Sequence, residues 1–431
     1  MCSCNLDTKI SLIHPTFGNS KRDDARLLHW NTCVPYKCVL HGLLLMLTFF
    51  VSVRSFTPAF SKDLVCQIIT SNQYACERHT VHTADGYELT LHRIPSKNYT
   101  QRHYHRPLIL MHGLIGSASD FVLPGRARSL GCILHEQGYD VWLPNARGTT
   151  YSKRHLHMDS SRASFWNFTW HEIGYFDLPA IVDYVLETTG HQQVHYVAHS
   201  QGSTIFFVLL SERPEYNEKF VSAALLAPVA FLANLRSPPL RIMAAEDEKI
   251  EVLLNHLGLH ELFPSTALNQ LGGHLLCGQA APTQNLCLLL TFLSVGFSDY
   301  EMDRNLFPRI FETTPAGISR KQFQHFGQLI KSGKFQQYDY NSKSENMRHY
   351  KSKTPPQYNL RNVRVPLHLF FGTRDLLMTK EDVLRLTRKL QNSNYTLHEL
   401  RGFNHIDLLY STVAPRLIYK QIINDLKHSY S

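Results

Sequence analysis

Residues 194–204 read VHYVAHSQGST: an apolar run stops at His199-Ser200-Gln201-Gly202 and a second apolar run follows. A serine on such a strand-to-helix turn exposes its hydroxyl, and the helix N-terminus behind it favours developing negative charge. Strand and helix pass close at such a turn, so small residues are needed two before and two after the serine. Gly202 meets that demand, and Ala198 adds only a methyl group. An unactivated serine is a poor nucleophile and needs a base with an orienting acid. Asp375 closes the segment FFGTRD and His405 lies in LRGFNHID, each just after a strand-like run, in the chain order Ser, Asp, His. Asp339 and Asp407 are rival acids in the same half, but neither ends a strand. His199 is a rival base, yet its side chain is expected to point away from the Ser200 hydroxyl and to pack. An oxyanion needs two backbone N–H donors. These fall on Gln201, the residue after the serine, and on Leu114 in the loop His112-Gly113-Leu114 that follows PLILM. The chemistry so described is acyl transfer to the serine hydroxyl through an acyl-enzyme.

The elements that must position these residues alternate along the chain. Val81–Arg93 reads as a hairpin turning at Asp85-Gly86, and Pro107–Met111 as a short buried strand. A helix over Ala127–Gly138 precedes a strand over Tyr139–Leu143. A helix over Asp177–Thr189 has Asp177 as its expected N-cap. Val194–Ala198 is a strand, Ser203–Leu210 a helix and Phe220–Leu226 a strand. Short apolar strands between helices predict an α/β fold with a mostly parallel sheet covered on both faces. From about Phe231 to Arg361 the alternation breaks into apolar helices such as Asn285–Val295. It resumes with strands at Val365–Gly372 and Tyr395–Leu400 and a closing helix from Pro415. The expected layout is a core over 56–230 and 362–431, interrupted by a mainly helical cap over 231–361.

Composition narrows the function classes. Of 431 residues 43% are hydrophobic, enough for a large core, and the net charge of +9 is scattered. Residues 1–54 supply +3 of it. The remaining 38 basic and 32 acidic residues form no long block, unlike the clustered patch of a nucleic-acid binder. The 25 histidines include no His-Glu-x-x-His and the cysteines no Cys-x-x-Cys, so neither a metal site nor a cofactor is expected.

Cys38–Val53 is an uncharged apolar run preceded by Lys37. It is shorter than the ~20 residues of a spanning helix and suits the apolar region of a signal peptide. Residues 38–55 are therefore either a signal cleaved near Ser55 or a retained anchor, and 1–37 an unstructured extension. Both alternatives send the chain into the secretory pathway, for secretion or for the lysosome. Five cysteines follow. Cys66/Cys76 and Cys277/Cys287 each close a short loop and are expected to pair, leaving Cys132 as a buried thiol on an apolar helix face. Asn98, Asn394 and Asn167 head glycosylation sequons, with Asn167 set among aromatics and expected to be the most buried.

From about Cys66 onward the chain resembles the acid lipases of the α/β-hydrolase fold, the family of lysosomal acid lipase and gastric lipase. The resemblance rests on VHTADGYEL with Arg93-Ile94-Pro95, on His112-Gly113-Leu114, on Asp140 to Gly148, and on Phe165 to Pro179. His199-Ser200-Gln201-Gly202, Pro315-Ala316-Gly317 and Pro355-Pro356-x-Tyr358-Asn359 extend it. It implies Ser200 as nucleophile, Asp375 as orienting acid, His405 as general base and acid, Leu114 and Gln201 as oxyanion donors, and a cap disulfide at Cys277–Cys287. It departs from the family at Ala198, at Thr373-Arg374 and in residues 1–37. Neutral lipid at a lipid–water interface is the implied substrate, with Phe292, Leu293, Phe297, Leu262 and Phe263 as candidates to line an acyl tunnel. Two other readings use the same scaffold: a non-catalytic lipid binder, and an acyltransferase or thioesterase differing only in the acceptor.

Overall fold

The computed structural model describes residues 63–428 apart from 97–105, 267–270, 272, 274, 280 and 301. The expected extension 1–37, the segment 38–55 and the Asn98 sequon lie outside the described residues. The strands in chain order are β1 (Glu77–His82), β2 (Tyr87–Ile94), β3 (Pro107–Met111), β4 (Asp140–Pro144), β5 (Arg154–His155), β6 (Val194–His199) and β7 (Phe220–Leu226). After them come β8 (Glu261–Leu262), β9 (Ile318–Ser319), β10 (Leu367–Gly372) and β11 (Tyr395–Leu400). The main sheet runs β1-β2-β4-β3-β6-β7-β10-β11, with β5 beside β2. From β4 to β11 every neighbour is parallel, while β1, β2 and β4 pair antiparallel. This is the mostly parallel sheet of an α/β-hydrolase fold.

Every residue of β3, β4, β6 and β7 is buried, as befits central parallel strands covered on both faces. The outermost strand β11 is mostly exposed. Chemistry at such a sheet gathers at the carboxyl ends of the strands, where the loops emerge. Among the described residues no helix is long and apolar enough to cross a membrane.

Between β7 and β10 lie helices over Pro238–Ala245, Asp247–His256, Gln284–Val295, Leu306–Thr313, Arg320–Ser332 and Lys343–Tyr350, with β8 and β9 paired antiparallel among them. Arg320–Ser332 has a clear start and stop: the Ser319 hydroxyl accepts from Gln322 N–H, and Gly333 ends it at φ +62°. Disulfides join Cys66 to Cys76 and Cys277 to Cys287, and the Cys132 thiol is buried and free.

One expected cap is overturned. Asp177 has helical dihedrals and makes no capping bond, because the helical run already begins at Trp170 and passes through a π turn at Ile173–Asp177. Its carboxylate is instead taken by Arg147, which donates from its backbone N–H at 3.0 Å and from Nε at 2.7 Å. The Arg147 guanidinium also donates to both oxygens of Asp85, at 2.6 and 2.8 Å.

Candidate active site

The turn after β6 holds Ser200 at φ 53°, ψ −117°. That conformation costs a non-glycine residue about 1–3 kcal/mol. It is over-determined by its surroundings: Ser200 N–H donates to Leu226 O at 2.8 Å, and Ser200 O accepts from Ser203 N–H at 2.9 Å as the helix Gln201–Glu212 starts. Gly202 shows why the turn wants small residues. A Cβ there would stand 2.6 Å from Met111 O and 3.0 Å from the Ala198 methyl. Ala198 is accommodated because its methyl occupies the space that Gly202 leaves open.

Ser200, His405 and Asp375 form one hydrogen-bonded chain. Ser200 Oγ lies 2.9 Å from His405 Nε2, and His405 Nδ1 lies 2.7 Å from Asp375 Oδ2. A carboxylate only accepts, so the imidazole proton sits on Nδ1 and Nε2 accepts from the Ser200 hydroxyl. Asp375 Oδ1 is held separately by Leu377 N–H at 2.7 Å and Met378 N–H at 2.9 Å. The rival acids are engaged by other groups. Asp407 Oδ2 accepts from Asn404 N–H at 2.7 Å, and Asp339 Oδ1 takes N–H groups of Asn341 and Asn346.

Leu114 and Ser200 border the same pocket. A Cβ added to Gly113 would sit 3.4 Å from Ser200 Cβ, so the His112–Leu114 loop runs beside the serine. His112 braces that loop: Nε2 accepts from Ala146 N–H at 3.1 Å, and Nδ1–H donates to Gly113 O at 2.7 Å. Burial pushes the His112 imidazole down to about 4, which keeps it in this neutral tautomer. Gln201 N–H opens its helix, where the first N–H groups have no intrahelical acceptor.

Three further residues support this arrangement, and one of them, His199, is expected from the sequence to point away from the hydroxyl and pack. His199 Nε2–H donates to His405 O at 2.9 Å, and burial holds its ring down near 3, so it acts as a neutral brace. Gln322 Nε2 donates to Gln201 Oε1 at 2.7 Å across 121 positions. Val295 O, at the end of helix Gln284–Val295, accepts from Leu376 N–H at 3.2 Å and His405 N–H at 3.4 Å, tying both loops to one point. Of the other two, only Val295 has a local signal, the glycine at 296 that stops its helix.

About 800 Å³ of space, partly open to solvent, reaches Ser200. Its wall is almost wholly apolar; it comes in part from the helices Pro238–Ala245, Asp247–His256 and Arg320–Ser332, with Phe323, Phe326 and Ile330 on one face of the last, and in part from Leu114, Val229, Leu232, Leu235 and Leu377. The expected liners are not among the lining residues. Leu293 and Phe297 are exposed, Phe292 packs on the main core, and Leu262 and Phe263 pack with Leu254 and Ile318. Continuous apolar runs drew attention to the wrong segments; the wall uses one face of amphipathic helices, with residues at i, i+3 and i+7.

A family profile described as the alpha/beta hydrolase fold matches residues 106–412, and one for a partial α/β-hydrolase lipase region matches 65–125. Lipase 3 of Drosophila melanogaster is 40% identical over 83% of this chain and 91% of its own. The chain belongs to the α/β-hydrolase lipases. Gastric triacylglycerol lipase of Rattus norvegicus is 35% identical over 84% of this chain and 90% of its own. Lysosomal acid lipase/cholesteryl ester hydrolase of Homo sapiens is 35% identical with the same coverage, 84% and 90%. As in other α/β-hydrolase folds, the serine follows a central strand, and the acid and histidine follow later strands toward one edge.

Two groups of the described residues bring metal-ligating atoms together, Asp63/Cys66/His92 and His368/His398/Asp425. Cys66 is committed to its disulfide, and none of the six lines the pocket at Ser200. One glycan expectation is corrected: Asn167 is exposed, because Phe165 and Phe168 turn inward on either side of it. Its Oδ1 accepts from Lys321 Nζ at 2.8 Å. Asn394 is also exposed.

Proposed function

We propose that this lipase-family chain hydrolyses neutral-lipid esters, triacylglycerol or sterol ester, through an acyl-enzyme on Ser200. The observation that carries the reading is the continuous Ser200–His405–Asp375 hydrogen-bond chain opening on an apolar pocket. His405 takes the Ser200 proton as the oxygen attacks the ester carbonyl, and gives it to the leaving alcohol. Water then repeats the sequence on the acyl-enzyme. Asp375 stabilises the imidazolium while it lasts, and the N–H groups of Leu114 and Gln201 hold the oxyanion. Residues 231–361 serve as the cap, its amphipathic helices sheltering the acyl chain from water. The names of its relatives, a gastric triacylglycerol lipase and a cholesteryl ester hydrolase, support the substrate class. Two disulfides and the exposed Asn167 and Asn394 sequons support passage through the secretory pathway, to the exterior or the lysosome, with Asn167, Asn394 and Asn98 as glycan acceptors.

The test is expression through a secretory host, reaction with a fluorophosphonate, and assay on triolein, cholesteryl oleate and a short soluble ester at pH values from about 4 to 8. Labelling at Ser200 is expected, with a loss of at least about 10⁴-fold in kcat for Ser200→Ala at unchanged Tm. Absence of labelling, or hydrolysis indifferent to Ser200→Ala, would end the enzymatic reading. A preference for the short soluble ester would end the neutral-lipid reading and leave an esterase.

A further inference from the structure

Along the outer edge of the sheet, two imidazoles and a carboxylate from three separate elements converge. In the β10–β11 register His368 pairs with Thr396 and Phe370 with His398, so all four side chains share one face. The helix Lys420–His428 brings Asp425 to that face. Asp425 Oδ2 lies 2.9 Å from His398 Nε2 and 3.5 Å from His368 Nδ1. The three atoms all fall within 4.8 Å of one another. Ligands 2.0–2.1 Å from a tetrahedral ion stand roughly 3.3 Å apart, a spacing the two measured distances bracket.

The surroundings favour an ion as well. Gln421 Nε2 donates to Asp425 Oδ1 at 2.7 Å, which leaves Oδ2 turned toward the imidazoles. Such outer contacts orient ligating carboxylates. Phe370 stacks on His398 with ring centroids 4.3 Å apart, fixing the ring. Thr396 Oγ1 lies 2.8 Å from His368 Nδ1 and 3.3 Å from His398 Nε2, adding a third kind of polar atom at the same point. The side chains keep 13% (His368), 12% (Asp425) and 21% (His398) of their exposure, so water can fill a fourth position.

We propose that His368 Nδ1, His398 Nε2 and Asp425 Oδ2 form a binding site for one divalent transition-metal ion of the zinc class. Two imidazoles with one carboxylate suit Zn²⁺, Co²⁺, Ni²⁺ or Cu²⁺ better than Ca²⁺ or Mg²⁺. The ligands are 30 and 27 positions apart, which is why no short motif reveals them. A bound ion would fasten the C-terminal helix to β10 and β11, the strands that lead to Asp375 and His405.

The full secreted protein, stripped with EDTA, is titrated with ZnCl₂ and with CoCl₂ while heat, thermal unfolding and the visible spectrum are followed. One ion per chain, a Tm increase reversed by EDTA, and the intense visible bands of four-coordinate Co²⁺ are expected. His398→Ala and Asp425→Asn should each weaken binding at least tenfold, while His157→Ala, on an exposed residue away from the cluster, should not. Since the three side chains also pair with one another, a variant that fails to fold is replaced by anomalous diffraction from unaltered protein at the zinc edge, which must place the ion among them. Binding indifferent to His398→Ala, the weak spectrum of octahedral Co²⁺, or an anomalous peak elsewhere would overturn the site.

Discussion

Asp375 and Asp177 are both buried carboxylates, 5% and 0% exposed, and their partners set them to opposite uses. Asp375 faces an imidazole, whose positive charge can appear and vanish, and its second oxygen rests on two backbone N–H groups. Asp177 faces the guanidinium of Arg147, a cation that never discharges and is shared with Asp85. A carboxylate whose counter-charge is transient stores stabilisation for the moment a proton moves. One with a permanent counter-ion spends it on architecture, here fastening the turn after β4 to the hairpin turn and to the helix at 178–189.

The contrast can be broken from its catalytic side first. Asp375→Asn presents an amide where the Nδ1 proton needs an acceptor, and kcat on a chromogenic ester should fall about 10⁴-fold with little change in Tm. Arg147→Met should do the reverse. It leaves Asp177 buried without its counter-ion, costing about 3–5 kcal/mol in urea unfolding while kcat per folded molecule holds. A variant that lost activity but not stability would merge the two clusters into one functional unit.

Asp120 sharpens the comparison as a third case, buried with neither imidazole nor guanidinium. It accepts from Tyr410 Oη–H at 3.1 Å beneath Gly116, and burial raises its carboxyl to about 7. Between the ordinary carboxyl value of 3.8 and about 7 the folded chain therefore carries a proton the unfolded chain lacks. Its contribution to stability is complete below 3.8 and is lost as pH rises through about 7. Urea titrations over that window should show this slope and Asp120→Asn should remove it. The smallest effect is expected at Ala198→Gly. The methyl fits beside Gly202, so turnover should change less than about twofold while stability falls by about 0.5–1 kcal/mol.

Some of this was legible in the chain and some was not, for physical reasons. Ser200 stands out because a short buried strand, a small-residue pair and a helix start coincide there. Asp375 and His405 stand out because each follows a strand, and parallel sheets place strand ends together. The Phe220–Leu226 and Tyr395–Leu400 strands match their sequence readings to the residue. What failed depends on contacts between distant segments. Asp177 has the sequence signature of a cap, yet Arg147, 30 positions earlier, holds its carboxylate. Much of the pocket wall lies on one face of helices such as Arg320–Ser332, which carries more polar than apolar residues. The brace by His199 and the link from Gln322 are side-chain contacts across 206 and 121 positions, with no local pattern to betray them.

The Val295 carbonyl has a practical consequence for recombination between relatives. It is the last residue of a helix between β7 and β10, yet it registers the two loops that present Asp375 and His405. Gly296 beside it lies so close to the Arg374 carbonyl that no side chain fits. A chimaera that transplants residues 231–361 to import a different pocket wall would therefore also import the peg on which the host's own loops hang. Selectivity and turnover would drift together in such grafts, and a graft junction that leaves the host's residues 295–296 in place would let one be exchanged without the other.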